Sequence, residues 1–268
     1  MSFISVEHPE FEIMKSDLND PQNYLVLEKI IRTCYRSEGK MTELSHRAMI
    51  QKIIDNDHTA MLEHMSITVK LFVDRAICME NIRHRLASYA MSSTRYIDYV
   101  SGLKVVKPHQ INMDDIDEIS SLEARHYPEF IRSVAPENKQ RVSEAFLFIN
   151  SCRNAFINYC ARIDNGAHRQ EARGSLNNHT QAELVVTTNL REWLHIFKLR
   201  DAKAAHPDFR LIISAVRNRF AEKYPLVFSP SELSYETHRK TGEHYTVLSN
   251  PGESNFSRII PIFDQKAS

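Results

Sequence analysis

From Met65 to Asp74 the chain alternates: Met65, Ile67, Val69, Leu71 and Val73 against Ser66, Thr68, Lys70 and Asp74, with Phe72 alone out of step. A period of two places the first set on one face of a β-strand and the second on the other. The segment therefore predicts a strand with one buried and one partly polar face. Asp74 then stands where an N-cap belongs, ahead of a helix.

Helical periodicities supply the layer that such a face needs. Met49/Ile50 and Ile53/Ile54 predict a helix over about Thr42–Asn56, broken by Asp57-His58-Thr59-Ala60. Val142, Phe146, Ile149, Cys152, Phe156, Tyr159/Cys160 and Ile163 predict the longest helix, roughly Glu137–Ile163, stopped by Gly166. Cys152 and Cys160 lie on that stripe and read as core thiols. After an extended Gln181–Thr188, Asn189 is placed to cap a helix with Leu190, Trp193, Leu194 and Phe197. His206-Pro207 opens another with Phe209, Ile212, Ile213, Val216 and Phe220, and Pro225 follows its end. Residues 1–28 read as a lead-in with one strand, and Ile30–Tyr35 as short and mixed. Tyr96–Val100 and Leu103–Val106 read as a hairpin joined through Ser101-Gly102. Phe228–Ser268, with an apolar patch at Ile259–Phe263, reads as an extended arm. Without a βαβ rhythm, a repeat or a clear linker, the expectation is one mixed α/β domain.

Charge and composition exclude several classes. Lysine and arginine total 34, aspartate and glutamate 34, so no basic excess points to nucleic acid. No apolar run reaches the 18 or so residues that span a bilayer, and Met-Ser-Phe-Ile-Ser-Val-Glu-His lacks the pattern of a signal peptide. Cys34, Cys78, Cys152 and Cys160 form no Cys-x-x-Cys pair, which favours a reducing, cytoplasmic setting. Six glycines make no phosphate loop or dinucleotide fingerprint, so any nucleotide must be held by another device.

That device is sought in Met79–Tyr99. Met79, Ile82 and Leu86 recur at three and four, predicting one helical face, with Arg83 and Arg85 flanking it and His84 pointing away from it. Ser88, Ser92, Ser93 and Thr94 follow, closed by Arg95. A hydroxyl-rich turn beside a guanidinium suits phosphate. Basic residues in a last helical turn and hydroxyls in a loop are also ordinary structure.

Arg83-His84-Arg85, then seven residues, then Ser93, with Ser88 between and Arg95 after, resembles the signature of the flavin-dependent thymidylate synthases, the ThyX family. Three further blocks stand in order: Asp57-His58-Thr59-Ala60-Met61-Leu62-Glu63-His64, similar to the family's Gly-His-x-Ser/Thr-x-x-Glu-His; Glu171-Ala172-Arg173; and Asn189-Leu190-Arg191 with Leu199-Arg200 and Ala204-Ala205-His206-Pro207. The likeness covers roughly residues 30–225. It implies a mainly antiparallel sheet with packed helices, a flavin- and nucleotide-binding domain over 1–225 and a C-terminal extension over 226–268. It implies a homotetramer with sites at subunit junctions, FAD as cofactor, and conversion of dUMP to dTMP with methylenetetrahydrofolate and NADPH. On the flavin side it implies His58, Ala60, Arg83, His84, Arg85, Met91, Asn189, Arg191 and His195. On the nucleotide side it implies Glu80, Arg83, Ser92, Ser93, Thr94, Arg95, Arg173 and Arg200, with Arg200 catalytic at the uracil edge.

The chemistry is coherent. Guanidinium forks match phosphate oxygens. A permanent cation beside uracil favours loss of the N3 proton and pushes electron density toward C5. Taken singly, Arg173, Arg191 and Arg200 could equally be surface salt bridges. His58, Glu63, His64 and His84 lack metal-ligand spacing, so no metal is expected, and Glu63 reads as a buried or interfacial partner for an arginine. The chain departs from the family pattern at Glu80 (usually Gln), Ala90 (Asn or Ser), Met91 (Glu or Gln), Ala60 (Ser or Thr) and Cys34 (Ser). A carboxylate at position 80 would repel phosphate or a uracil carbonyl unless protonated or paired. Three readings stay open: a dUMP methyltransferase, a divergent enzyme on another pyrimidine nucleotide or with another one-carbon outcome, and a non-catalytic nucleotide-binding protein.

Overall fold

The computed structural model describes residues 3–231 and 258–261. In chain order the strands are β1 (Phe3–Glu7), β2 (Glu10–Ser16), β3 (Ser66–Asp74), β4 (Ala87–Met91), β5 (Leu103–Val106), β6 (Gln181–Asn189) and β7 (Arg258–Pro261). The helices are α1 (Gln22–Tyr35), α2 (Ser45–Asp55), α3 (Arg75–Asn81), α4 (Met113–Ile119), α5 (Tyr127–Ser133), α6 (Lys139–Asp164), α7 (Arg169–Ala172), α8 (Leu190–Arg200) and α9 (Pro207–Lys223).

The alternating segment is β3, at the centre of an antiparallel sheet ordered β2-β3-β6-β4. β3 pairs with β6 over nine residues, from Ser66 opposite Asn189 to Asp74 opposite Gln181. Its apolar face, Ile67, Val69, Leu71 and Val73, is buried with Leu184 and Val186 of β6 against Trp193 and Ile196 of α8 and Phe209, Ile212 and Phe220 of α9. Trp193 keeps its indole N–H satisfied there, donating to the Ile67 carbonyl at 3.1 Å. The smaller sheet runs β5-β1-β7, with β1 parallel to β5 and antiparallel to β7. It packs Ile4, Val6, Leu103 and Val105 against Ile116 and Ile119 of α4 and Phe146, Ile149 and Phe156 of α6. This is the mixed α/β fold expected, with its larger sheet antiparallel. α2 and α6 begin and end within three residues of their predicted bounds, and α8 and α9 start directly after Asn189 and His206 as expected.

Several expectations are corrected. α3 stops at Asn81, so Arg83-His84-Arg85 lies in the turn after it. Met79, Ile82 and Leu86 are 42%, 37% and 73% exposed and form no core face. The buried side of α3 is Ile77, Cys78 and Asn81. The chain leaves the helix because residues 87–91 pair with β6, and a strand's ladder outweighs one more helical turn. Ser88 accordingly sits in β4 and not in the hydroxyl turn. His84, expected to face away from the core, is 5% exposed. Tyr96–Val100 is not a strand, and β5 pairs in parallel with β1 instead of closing a hairpin. Gly102 is where the aromatic ring of Phe3 packs, 3.0 Å from where a Cβ would stand. Finally, the first 28 residues hold two strands and the start of α1, which also absorbs Ile30–Tyr35. Arg258–Pro261 of the arm is β7; the rest of the arm beyond Ser231 lies outside the described residues.

Candidate active site

Two strand-to-helix junctions build the site. Asp74 ends β3 and caps α3 through its side chain, which accepts from the Ile77 N–H at 2.8 Å. Asn189 ends β6 and caps α8 likewise, accepting from Glu192 N–H at 2.8 Å. Because β3 and β6 are antiparallel over nine residues, the two helices start at opposite ends of a ladder about 30 Å long. α3 runs back about 10 Å and α8 about 16 Å, so their C-terminal ends converge.

At that convergence Arg200, the last residue of α8, meets Glu80 of α3 and His84 of the following turn. Its Nε donates to His84 Nε2 at 3.0 Å, one terminal nitrogen to Glu80 Oε2 at 3.1 Å and the other to the Glu80 carbonyl at 3.4 Å. Phe209 lies beneath the guanidinium, 4.9 Å from ring centroid to carbon. The His84 turn is itself fixed by Tyr89 of β4, whose hydroxyl lies 2.8 Å from the carbonyls of both Asn81 and His84. Burial, with the positive charge of Arg200 and the neighbouring His195, holds His84 down at about 4. The ring is therefore neutral at pH 7, and with Nε2 accepting from Arg200 its proton sits on Nδ1.

His84, Glu192 and His195 gather ligand-type atoms within 4.8 Å of one another. Sequence reasoning did not find this set, because Glu192 had no signal beyond its place in the first turn of α8. Its chemistry is poor for a divalent ion. Metal at Nδ1 would need the proton moved to Nε2, against the Arg200 N–H, with a full positive charge beside the ion.

A second group lies at the far end of β4. Ser92 exchanges hydrogen bonds with Glu183, its N–H donating to the carbonyl at 2.9 Å and its hydroxyl accepting at 3.0 Å. Ser93 Oγ accepts from Arg95 N–H at 3.3 Å, and Thr94 is buried. Arg95 Nε donates to Gln170 Oε1 at 3.2 Å, and Arg169 donates to Asp98 at 2.7 Å, so this turn packs on α7. Arg173 follows α7 directly and is exposed. Five residues of strand, about 16 Å, separate Ser92 from the His84 group.

Of the remaining positions, Asn189 and Arg191 stand at the start of α8. Exposed Arg191 pairs with Glu63, so the arginine partner expected for Glu63 exists but is solvent-facing rather than buried. His58 Nδ1 lies 3.4 Å from the Tyr35 hydroxyl, with exposed Ala60 two residues on. Arg83 and Arg85 are exposed and, among the described residues, neither they nor Arg173 forms an ion pair. Met91 is half-buried at the end of β4. Glu80, where the family usually has Gln, is paired with Arg200. Burial pushes the Cys78 and Cys152 thiols up to about 12, so neither is a nucleophile. No helix among the described residues is long and apolar enough to cross a membrane.

A sequence model of the family described as "Thymidylate synthase complementing protein" matches residues 17–226. The flavin-dependent thymidylate synthase of Mycobacterium avium (strain 104) is 30% identical over 206 residues, covering 76% of this chain and 77% of that one. Those of Mycobacterium leprae and Geobacter sulfurreducens are each 28% identical, over 208 and 201 residues, covering 76% and 72% of this chain and 78% and 74% of theirs. Among solved structures, the UMP/dUMP methylase PolB from Streptomyces cacaoi, bound with 5-Br dUMP, superposes with a TM-score of 0.61 at 22% identity, covering 83% of this chain and 94% of that one. ThyX from Helicobacter pylori with FAD and dUMP gives 0.58 at 17%, covering 82% and 97%. The match over residues 17–226 takes in both junctions, the Arg200 cradle and the Ser92–Arg95 turn, and by it this chain belongs to the thymidylate synthase complementing proteins, the flavin-dependent thymidylate synthase (ThyX) family of enzymes.

Proposed function

We propose that this enzyme methylates dUMP at C5 to give dTMP, with FAD as cofactor, methylenetetrahydrofolate as carbon donor and NADPH as reductant. The observation that carries the reading is Arg200, a guanidinium held on three nitrogens and backed by an aromatic ring at the meeting point of two helices. An arginine so fixed presents charge in one direction, which is what base recognition needs. There it favours loss of the uracil N3 proton and raises electron density at C5. Neutral His84 accepts from Arg200 and does not compete for that proton.

Ser93, Thr94, Arg95 and Arg173 hold the 5′-phosphate, and Ser92 anchors their turn. The donor set at the other end fits a flavin dinucleotide: exposed Arg83 and Arg85, which form no ion pair among the described residues, suit a pyrophosphate, and His58, Ala60, Met91, Asn189, Arg191 and His195 complete the flavin contacts. FAD, when bound and reduced by NADPH, would supply the hydride and relay the carbon unit. Since about 16 Å of β4 separates the two arginine groups, one copy does not close a site. Exposed Ile82 and Leu86 beside Arg83 and Arg85 favour assembly, and a homotetramer with shared sites is the reading adopted. Residues 1–225 form the working domain, and the cytoplasm is its setting.

Glu80 on Arg200 favours one second reading, in which the same site takes another pyrimidine nucleotide such as UMP. The visible spectrum of purified protein titrated with dUMP tests the proposal. Flavin absorbance perturbed by dUMP, with dTMP formed on adding both co-substrates, is expected. Colourless protein that takes up no FAD refutes it, and NADPH oxidation with no dTMP moves the assignment to the second reading. Arg200→Ala is expected to keep flavin and lose turnover; unchanged turnover removes the role given to Arg200.

A further inference from the structure

Arg200 is followed by Asp201, whose side chain is almost fully buried and bonds to none of the residues of the Glu80–His84 cradle among the described residues. Asp201 Oδ2 takes Arg217 at 2.7 Å, while Oδ1 takes the hydroxyl of Ser214 and that of Ser231 at 2.8 Å. Its carbonyl takes Arg210 Nε at 3.0 Å. Arg217 reaches on to the carbonyl and hydroxyl of Ser229, at 2.9 and 3.1 Å, and Ser231 N–H donates to Asn218 at 2.7 Å. Phe228 packs edge-on to Phe197 and Phe220. The end of α8, the middle of α9 and residues 228–231 are thus tied at one carboxylate.

A carboxylate at a helix C-terminus faces the negative pole of the helix, and burial adds to that cost. The site tolerates it because Arg217 and two hydroxyls satisfy it. Those same bonds fix the backbone of the neighbouring residue. From this geometry we infer that Asp201 is a positioning residue for Arg200, and that Ser231, which lies past the family-matched residues 17–226, completes the seat. Residues 228–231 thereby act on the active site through the backbone of Arg200. The inference rests on the role given to Arg200 above.

The test uses full-length, FAD-loaded protein carrying Asp201→Asn or Ser231→Ala, the latter sparing the helix core. A displacement near 1 Å at a reacting group costs on the order of 100-fold in rate. Asp201→Asn is expected to lower kcat by roughly 10- to 100-fold and Ser231→Ala by roughly 3- to 10-fold, with FAD content unchanged. The discriminating measurement is dUMP affinity in an Arg200→Ala background. A positioning role predicts that Asp201→Asn weakens dUMP binding in the native background and adds nothing once Arg200 is gone. Equal weakening in both backgrounds, or native kcat in both single variants, overturns the inference while leaving the dUMP reading intact. Native protein that binds neither flavin nor dUMP overturns both.

Discussion

Replacing Asp74 with asparagine should stabilise this protein at neutral pH and leave it unchanged in acid. Asp74 is 9% exposed and caps the helix that delivers Glu80 to the site. Burial, chiefly, and then the negative charge of Asp208 lift its carboxyl from the ordinary 3.8 to about 6, against the backbone N–H groups of Ile77 and Ala76 and the charge of His206. His8, Lys107, His109 and Asp208 face it across a shared cleft. A raised acid pKa means the fold binds this proton more tightly than the unfolded chain does. Stability from this group is therefore greatest below about 3.8 and is lost as pH rises through 6. The interval, about 2 pH units at about 1.36 kcal/mol each, corresponds to about 3 kcal/mol lost above pH 6. Asparagine caps a helix as well as aspartate does and never ionises. Asp74→Asn should match the native protein near pH 4 and exceed it by up to about 3 kcal/mol at pH 7.5, roughly a 1 M rise in urea midpoint. Urea denaturation of both proteins across pH 4–8 measures the difference directly. His84, lowered to about 4, has the opposite dependence, losing stability as pH falls below 6.5, but it is common to both proteins and cancels. A difference that stays flat with pH, or a variant less stable at pH 7.5, would refute the argument.

Glu80→Gln removes a negative charge beside the incoming nucleotide and gives up a partly exposed ion pair of about 1 kcal/mol. dUMP should then bind about 5-fold tighter by flavin-monitored titration, whereas weaker binding would show that Glu80 contacts the nucleotide favourably. Tyr89→Phe leaves the carbonyls of Asn81 and His84 without their shared donor, at about 1–2 kcal/mol. Calorimetry should show Tm lower by roughly 3–6 °C, and an unchanged Tm would mean water replaces the hydroxyl at no cost.

β3, α6 and both capping residues, Asp74 and Asn189, were legible because their signals are local. Alternation, a 3.6-residue stripe and a side chain able to reach back to an N–H all operate within a few residues of sequence. The Ser92–Thr94 turn and Arg95 were named from residue type and Arg200 from the family resemblance, and their roles are proposals. What failed is equally specific. Met79, Ile82 and Leu86 satisfy helical spacing, yet β6 offered residues 87–91 a ladder, and pairing across almost a hundred residues of sequence set the end of α3. β5 paired with β1 rather than with its neighbour for the same reason.

The amino-acid order by itself determined which segments prefer helix or strand, and which residue types carry charge that phosphate and a pyrimidine can use. The tertiary structure alone decided that His84 is buried and neutral, that Glu80 pairs with Arg200, and that Asp201 ties the end of α8 to α9 and to residues 228–231. Those are consequences of distance and desolvation between residues far apart in sequence, and neither quantity exists until the chain is packed.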